Sequence, residues 1–181
     1  MQSPTLAQQL RGAIRVVPDF PKPGISFKDI TPIWLEPQLV AGCVAGLAER
    51  FAAQGITKVV GIESRGFLLG PQLAQALGAG FVIVRKRGKL PAATVDVTYD
   101  LEYGNAALEM HRDALQKTDR VLIHDDLLAT GGTASAAAKL THELGARVAG
   151  FAFLVELESL AGRAVLSPYG VPIETLVRYA D

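Results

Sequence analysis

Residues 121–133 read Val-Leu-Ile-His-Asp-Asp-Leu-Leu-Ala-Thr-Gly-Gly-Thr and place two kinds of polar chemistry behind one apolar run. Asp125 and Asp126 end a strand-like segment, where paired carboxylates can accept hydrogen bonds from a sugar diol. After a short spacer, Thr130-Gly131-Gly132-Thr133 opens an alanine-rich helix. Glycines there let backbone N–H groups close around a phosphate, and the helix N-terminus adds a favourable dipole. A ligand with both hydroxyls and a phosphate suits this order. The plainer reading is a capped helix after a strand with two exposed acids. Two adjacent acids followed by this glycine turn weigh against it.

A second cluster is cationic. No acidic residue occurs from Ser64 to Val95, a window that holds Arg65, Arg85, Lys86, Arg87 and Lys89. A lone charge run is usually a solvated face. This one lies between two loops that follow apolar strands, which favours an anion site.

The elements that must position these residues follow from periodicity and punctuation. Ser3-Pro4 reads as a cap and first turn of a helix to about Ile14. Pro18, Pro21, Pro23 and Pro32, with Gly24 between them, predict an extended, irregular segment. A helix over 37–54 stops at Gly55. Strands are expected at 58–62, 81–85, 120–124 and 148–157, with a final edge strand at 173–179. Helices are expected at 66–77 and 132–144. Residues 86–108 are polar, contain Gly88 and Gly104, and read as a long, mobile hairpin or lid. Strands alternating with helices predict an α/β fold whose mainly parallel sheet is covered on both faces.

Bulk properties bound the function. The chain has 181 residues, 49% of them apolar, enough for a core in one domain, 1–181. Lys plus Arg and Asp plus Glu each number 18, which gives no global pull toward nucleic acid or an anionic membrane. The single cysteine, Cys43, sits in an apolar helical run and reads as a small buried hydrophobe. No basic-then-apolar leader and no membrane-length apolar run is found, so a soluble cytoplasmic protein is the expectation. His111, His124 and His142 show no metal spacing.

Two common phosphate motifs are missing. Gly61 and Gly66 have the glycine spacing of a P-loop, but Phe67 follows, and no G-x-G-x-x-G follows a strand. What remains, an acidic pair, a spacer and T-G-G-T, resembles the phosphoribosyl pyrophosphate (PRPP) signature of the type I phosphoribosyltransferases. Five further segments narrow the resemblance to the adenine branch of that family. They are Pro18 to Pro32 (PDFPKPGISFKDITP), Glu63 to Phe67 (ESRGF), Arg85 to Pro91 (RKRGKLP), and the pair Leu101-Glu-Tyr-Gly104 and Val155-Glu-Leu157.

The resemblance implies a type I phosphoribosyltransferase fold with a hood segment at 1–35 and a flexible catalytic loop at 86–108. It implies purine salvage: adenine plus PRPP giving AMP and pyrophosphate through an oxocarbenium-like transition state. Asp125 and Asp126 would hold the ribose hydroxyls, and Ala129, Thr130, Gly131, Gly132 and Thr133 the 5-phosphate. Ser64, Arg65, Arg85 and Lys89 would hold pyrophosphate, with a non-proline cis peptide at about Glu63–Ser64. Ile25, Ser26, Phe27 and Leu157 would form the adenine site. Glu102 and Tyr103 join Arg65 as catalytic candidates. Ala129 replaces the acid of relatives that act on 6-oxopurines, so proton traffic with the base falls to Glu102. Mg²⁺ would arrive with the substrate and meet Asp125 and Asp126, directly or through water. A homodimer is implied. Ser26, Lys28 and His124 depart from the residues usual in the family at those positions. Transferases for hypoxanthine, guanine, xanthine or orotate are the competing readings, with a PRPP-binding regulator of transcription further off.

Overall fold

A computed structural model describes residues 4–101 and 104–180 of the chain. Glu102 and Tyr103 lie outside the described residues.

Helix α1 (Leu6–Ala13) opens at Thr5, not at Ser3-Pro4. The Gln8 N–H donates to the Thr5 hydroxyl and the Thr5 N–H donates to the Gln8 carboxamide, a reciprocal cap that fixes the start. Strands β1 (Arg15–Val17) and β2 (Phe27–Asp29) pair antiparallel, with Val16 opposite Lys28 and Val17 opposite Phe27. The proline-rich segment between them is irregular, as its composition predicts, but the pairing that closes it is an added finding. Helix α2 (Pro37–Phe51) continues through a 3₁₀ turn to Gln54, and Gly55 ends it at φ 60°. Cys43 faces inward from α2; burial alone pushes its thiol up to about 12, which makes it the inert hydrophobe expected.

The main sheet is built from β3 (Lys58–Ile62), β4 (Gly80–Lys86), β5 (Thr94–Leu101), β6 (Gly104–His111), β7 (Arg120–Leu128), β8 (Arg147–Leu157) and β9 (Ile173–Tyr179). Its order is β5-β6-β4-β3-β7-β8-β9. The five strands from β4 to β9 run parallel, and β5–β6 is an antiparallel hairpin joined to the β4 edge. Helices α1, α2 and α3 (Gly66–Ala76) share one apolar layer with that sheet; α4 (Gly132–Glu143) and α5 (Gly162–Leu166) share the other. Alternation decides the layers: Val59 joins the first, Val60 and Ile62 the second. Four alanines, Ala134, Ala136, Ala137 and Ala138, let α4 lie close on the sheet.

Chain order reverses around β3. The chain leaves β3 through α3 to β4 on one side, yet β7 pairs with β3 on the other. In an open α/β sheet this switch point leaves a crevice at the carboxyl ends of the strands. The loop after β3 and the segment 125–133 of β7 and α4 therefore meet there.

One boundary differs from expectation in a way that matters. Strand β7 does not end at the acidic pair but runs to Leu128. Pairing with β8 carries it on, with Asp125 opposite Phe153, Leu127 opposite Val155 and Leu128 opposite Glu156. The carboxylates thus sit on a paired strand rather than on a loose loop.

His124 is fully buried on β7. Its Nδ1 lies 3.0 Å from the Ala152 carbonyl and donates to it, while Nε2 has no partner among the described residues. Burial draws its pKa down from 6.5 to about 4, against the opposing pull of the Ala152 bond. The unfolded chain therefore binds a proton that the folded chain refuses. The stabilisation is complete above pH 6.5 and is lost as pH falls through about 4, a swing of about 3 kcal/mol. Denaturant unfolding of the wild type and of His124→Val should differ by an amount that is steady above pH 7 and shifts toward the variant by most of that swing at pH 4. A difference independent of pH would contradict the assignment.

Candidate active site

Arg65 and Asp126 form the centre of the crevice. Arg65 ends the loop after β3, and its Nε lies 3.0 Å from the Asp126 carboxylate on β7. Loop and strand can approach this closely because Gly66 opens α3. A Cβ there would stand 2.8 Å from the His124 carbonyl and 3.2 Å from the Asp125 carboxylate. The Glu63–Ser64 peptide just before Arg65 is cis, at the position anticipated.

The two carboxylates are not equivalent. Asp126 is 3% exposed and carries the ion pair; Asp125 is more open and accepts the Asp126 N–H at 2.9 Å. Burial raises both carboxyl pKa values. The negative charge of Asp126 drives Asp125 further up, while Arg65 restrains Asp126. A site that strains to hold two negative charges favours ligands that donate hydrogen bonds or bring a cation.

Asp125 lines a small cleft of about 60 Å³ together with Ala129, Thr130, Gly131, Thr133 and Phe153. Gly131 holds φ at 81° as the residue before α4, a conformation that favours glycine. The first-turn N–H groups of α4, Gly132 and Thr133 among them, have no acceptor within their own helix and point toward this end. The Thr133 hydroxyl lies 3.5 Å from the Tyr99 hydroxyl on β5, so the hairpin reaches the same loop.

The basic window is held by two glutamates. Arg85 presents Nε and Nη2 to the two Glu63 oxygens, each at 3.2 Å, and Nη1 to the Lys89 carbonyl at 3.0 Å. Those Arg85 bonds, with the Lys86 N–H, hold the Glu63 carboxyl below its usual range against burial. Glu109 is 4% exposed on β6 and accepts the Lys89 and Leu90 N–H groups, both at 2.7 Å. Burial opposes ionisation there, yet the N–H bonds from residues 88–90 keep its pKa low. Arg87 pairs with Asp96 across the base of the hairpin. Arg85 and Lys89 thus belong to one braced turn, with the Arg85 fork committed to Glu63. The sequence placed Glu63 in the Glu63–Phe67 segment without a role and gave Glu109 none; a lone acid beside apolar residues was the available signal.

At the other side of Arg65, its guanidinium carbon lies 6.0 Å from the centre of the Phe27 ring. Phe27 meets Phe20 edge-on at 5.2 Å, and with Val17 and Asp29 the pair lines a cleft of about 280 Å³. Ile25 is exposed, its N–H given to the Lys22 carbonyl. The Ser26 hydroxyl accepts from the Lys28 ammonium at 3.1 Å. Lys28 also stands 4.7 Å over the Tyr179 ring, and Tyr179 pairs with Leu157 at the end of β8. Leu157 is tied to the hood by that route. No cluster of three or more His, Cys, Asp or Glu able to hold a metal occurs among the described residues. Asp125 and Asp126 offer carboxylate oxygens, the donor type that Mg²⁺ takes.

Comparison with known proteins agrees with this geometry. Residues 29–171 match the phosphoribosyl transferase domain. An adenine phosphoribosyltransferase of Sorangium cellulosum is 54% identical over 174 residues, covering 94% of this chain and 87% of its own. The crystal structure of adenine phosphoribosyltransferase from Rhodothermus marinus is 55% identical, with a TM-score of 0.90 and 96% and 98% of the two chains covered. The enzyme of Trypanosoma brucei, in complex with AMP, pyrophosphate and ribose-5-phosphate, is 28% identical with a TM-score of 0.87, covering 96% and 79%. Likeness of this extent, along nearly the whole chain, settles that the chain belongs to the adenine phosphoribosyltransferase family.

Proposed function

We propose that the chain transfers the 5-phosphoribosyl group of PRPP to adenine, giving AMP and pyrophosphate in purine salvage. The observation that carries the reading is the Arg65–Asp126 contact. It joins a basic loop, suited to a departing pyrophosphate, to an acidic strand and glycine turn suited to ribose 5-phosphate. The relatives' names and the ligands of the trypanosomal complex support the same substrates and products.

In this reading Asp125 and Asp126 accept hydrogen bonds from the ribose hydroxyls, and the backbone of 129–133 receives the 5-phosphate. Arg65 meets the pyrophosphate with Ser64, while Arg85 and Lys89 line the same arm. Charge that develops on the leaving group is then met by donors already in place, which is the main electrostatic lever of such a transfer. Ile25, Ser26, Phe27 and Leu157 form the base site, with Phe27 against the ring. Mg²⁺ bound to the substrate would neutralise pyrophosphate charge, with Asp125 and Asp126 as its protein contacts, directly or through water. The segment 1–35 is the hood and 86–108 the lid of a single domain, and the lid closes over PRPP to exclude water. Glu102 exchanges a proton with the purine and Tyr103 meets a phosphate oxygen. A cytoplasmic homodimer completes the reading.

The substrate assignment is checked by offering PRPP and Mg²⁺ with adenine, hypoxanthine, guanine or orotate and separating the products. AMP should form, with the other bases at trace levels; nucleotide from hypoxanthine but not adenine would overturn the reading. For proton handling, Glu102→Gln should lower kcat by about 100-fold at saturating substrates. An unchanged kcat would return Glu102 to a surface role.

A further inference from the structure

Behind the 129–133 turn lies a contact that none of the site roles uses. Gly162 begins α5, and its backbone is pressed flat against the turn. A Cβ on Gly162 would fall 2.1 Å from the Ala129 carbonyl oxygen and 2.9 Å from the Leu128 side chain. The reverse also holds: a Cβ on Gly131 would fall 2.6 Å from the Gly162 carbonyl oxygen. Two backbones in mutual contact, each closed to any side chain, fix each other's position.

The next residue supplies the anchor. Arg163 donates from Nε and Nη2 to the two oxygens of Glu156, at 3.0 and 2.7 Å, and from Nη1 to the Ile173 carbonyl at 2.8 Å. Glu156 is 4% exposed on β8, directly opposite Leu128 of β7. It also accepts the Thr175 hydroxyl at 3.1 Å and faces Arg178 Nε at 3.3 Å, both on β9. A planar fork on a buried carboxylate allows one orientation, whereas a lysine would leave several. The sheet therefore determines where α5 lies, and α5 determines the curvature of the turn.

We propose that Gly162, Arg163 and Glu156 are positioning residues for the 5-phosphate. They touch no substrate; they hold the backbone N–H groups of 130–133 in the concave arrangement that a phosphomonoester dianion needs. The proposal rests on the reading of that turn as the 5-phosphate site. Phosphate recognition by main-chain donors depends on their convergence, so displacement by a fraction of an ångström weakens it without removing any donor.

Titration calorimetry with ribose 5-phosphate and, separately, with Mg²⁺-pyrophosphate tests it on the full chain. Gly162→Ala should weaken ribose 5-phosphate by about 10-fold or more and leave pyrophosphate within about 2-fold. Arg163→Lys, which keeps the charge and loses the fork, should show the same selectivity at about 3-fold. In steady state the KM for PRPP should rise while the KM for adenine holds. Should Gly162→Ala not fold, Arg163→Lys decides alone. Equal loss of both ligands, or no loss in a folded variant, overturns the brace. Wild-type protein that binds pyrophosphate but not ribose 5-phosphate overturns the reading of the turn itself, and the brace with it.

Discussion

A carboxylate that water scarcely reaches needs a positive charge, and Asp126 finds it in Arg65 at 3.0 Å. Burying an ion costs several kcal/mol on the order-of-magnitude scale, and removing its partner leaves that cost uncompensated. The pair therefore ties the loop after β3 to strand β7 across the point where strand order reverses. Everything the site offers is arranged around this tie. Phe27 lies on one side of the Arg65 guanidinium, and the cleft from Asp125 to Thr133 opens beside Asp126.

The same device recurs at the periphery. Glu63, Glu109 and Glu156 are buried or half-buried carboxylates whose lone pairs are taken by arginine forks or backbone N–H groups. Each one fixes a segment of the proposed anion site. Glu63 holds Arg85, Glu109 holds the turn at Lys89 and Leu90, and Glu156 holds α5 against the glycine turn. An anion site built from mobile cations would lose binding energy to ordering. Negative groups placed behind the positive ones remove that loss in advance.

Much of this was legible in the chain. Lys58–Ile62 and Ile173–Tyr179 are strands over the same residues that apolar runs outlined, and Gly55 stops its helix as its type suggests. The acidic pair was legible as chemistry but misleading as a boundary. Charge signals an end to a strand when the neighbour is unknown, and β8 supplies the neighbour. The β1–β2 pairing was hidden because each strand has three residues and the register joins them across an irregular segment. The braces were hidden for another reason. A sequence shows that Glu156 and Arg163 exist, but only the sheet reveals that one is buried and the other reaches it.

Arg65 and Asp126 are in contact, and in the proposed function they work as one unit joining the two anion arms. A double-mutant cycle on kcat/KM for PRPP, using Arg65→Ala, Asp126→Asn and the double variant, tests it most directly. If the pair acts as a unit, the double variant is little worse than the poorer single variant, falling short of the multiplied losses by about 10-fold or more. Losses that simply multiply would show that the two residues act independently and would contradict it.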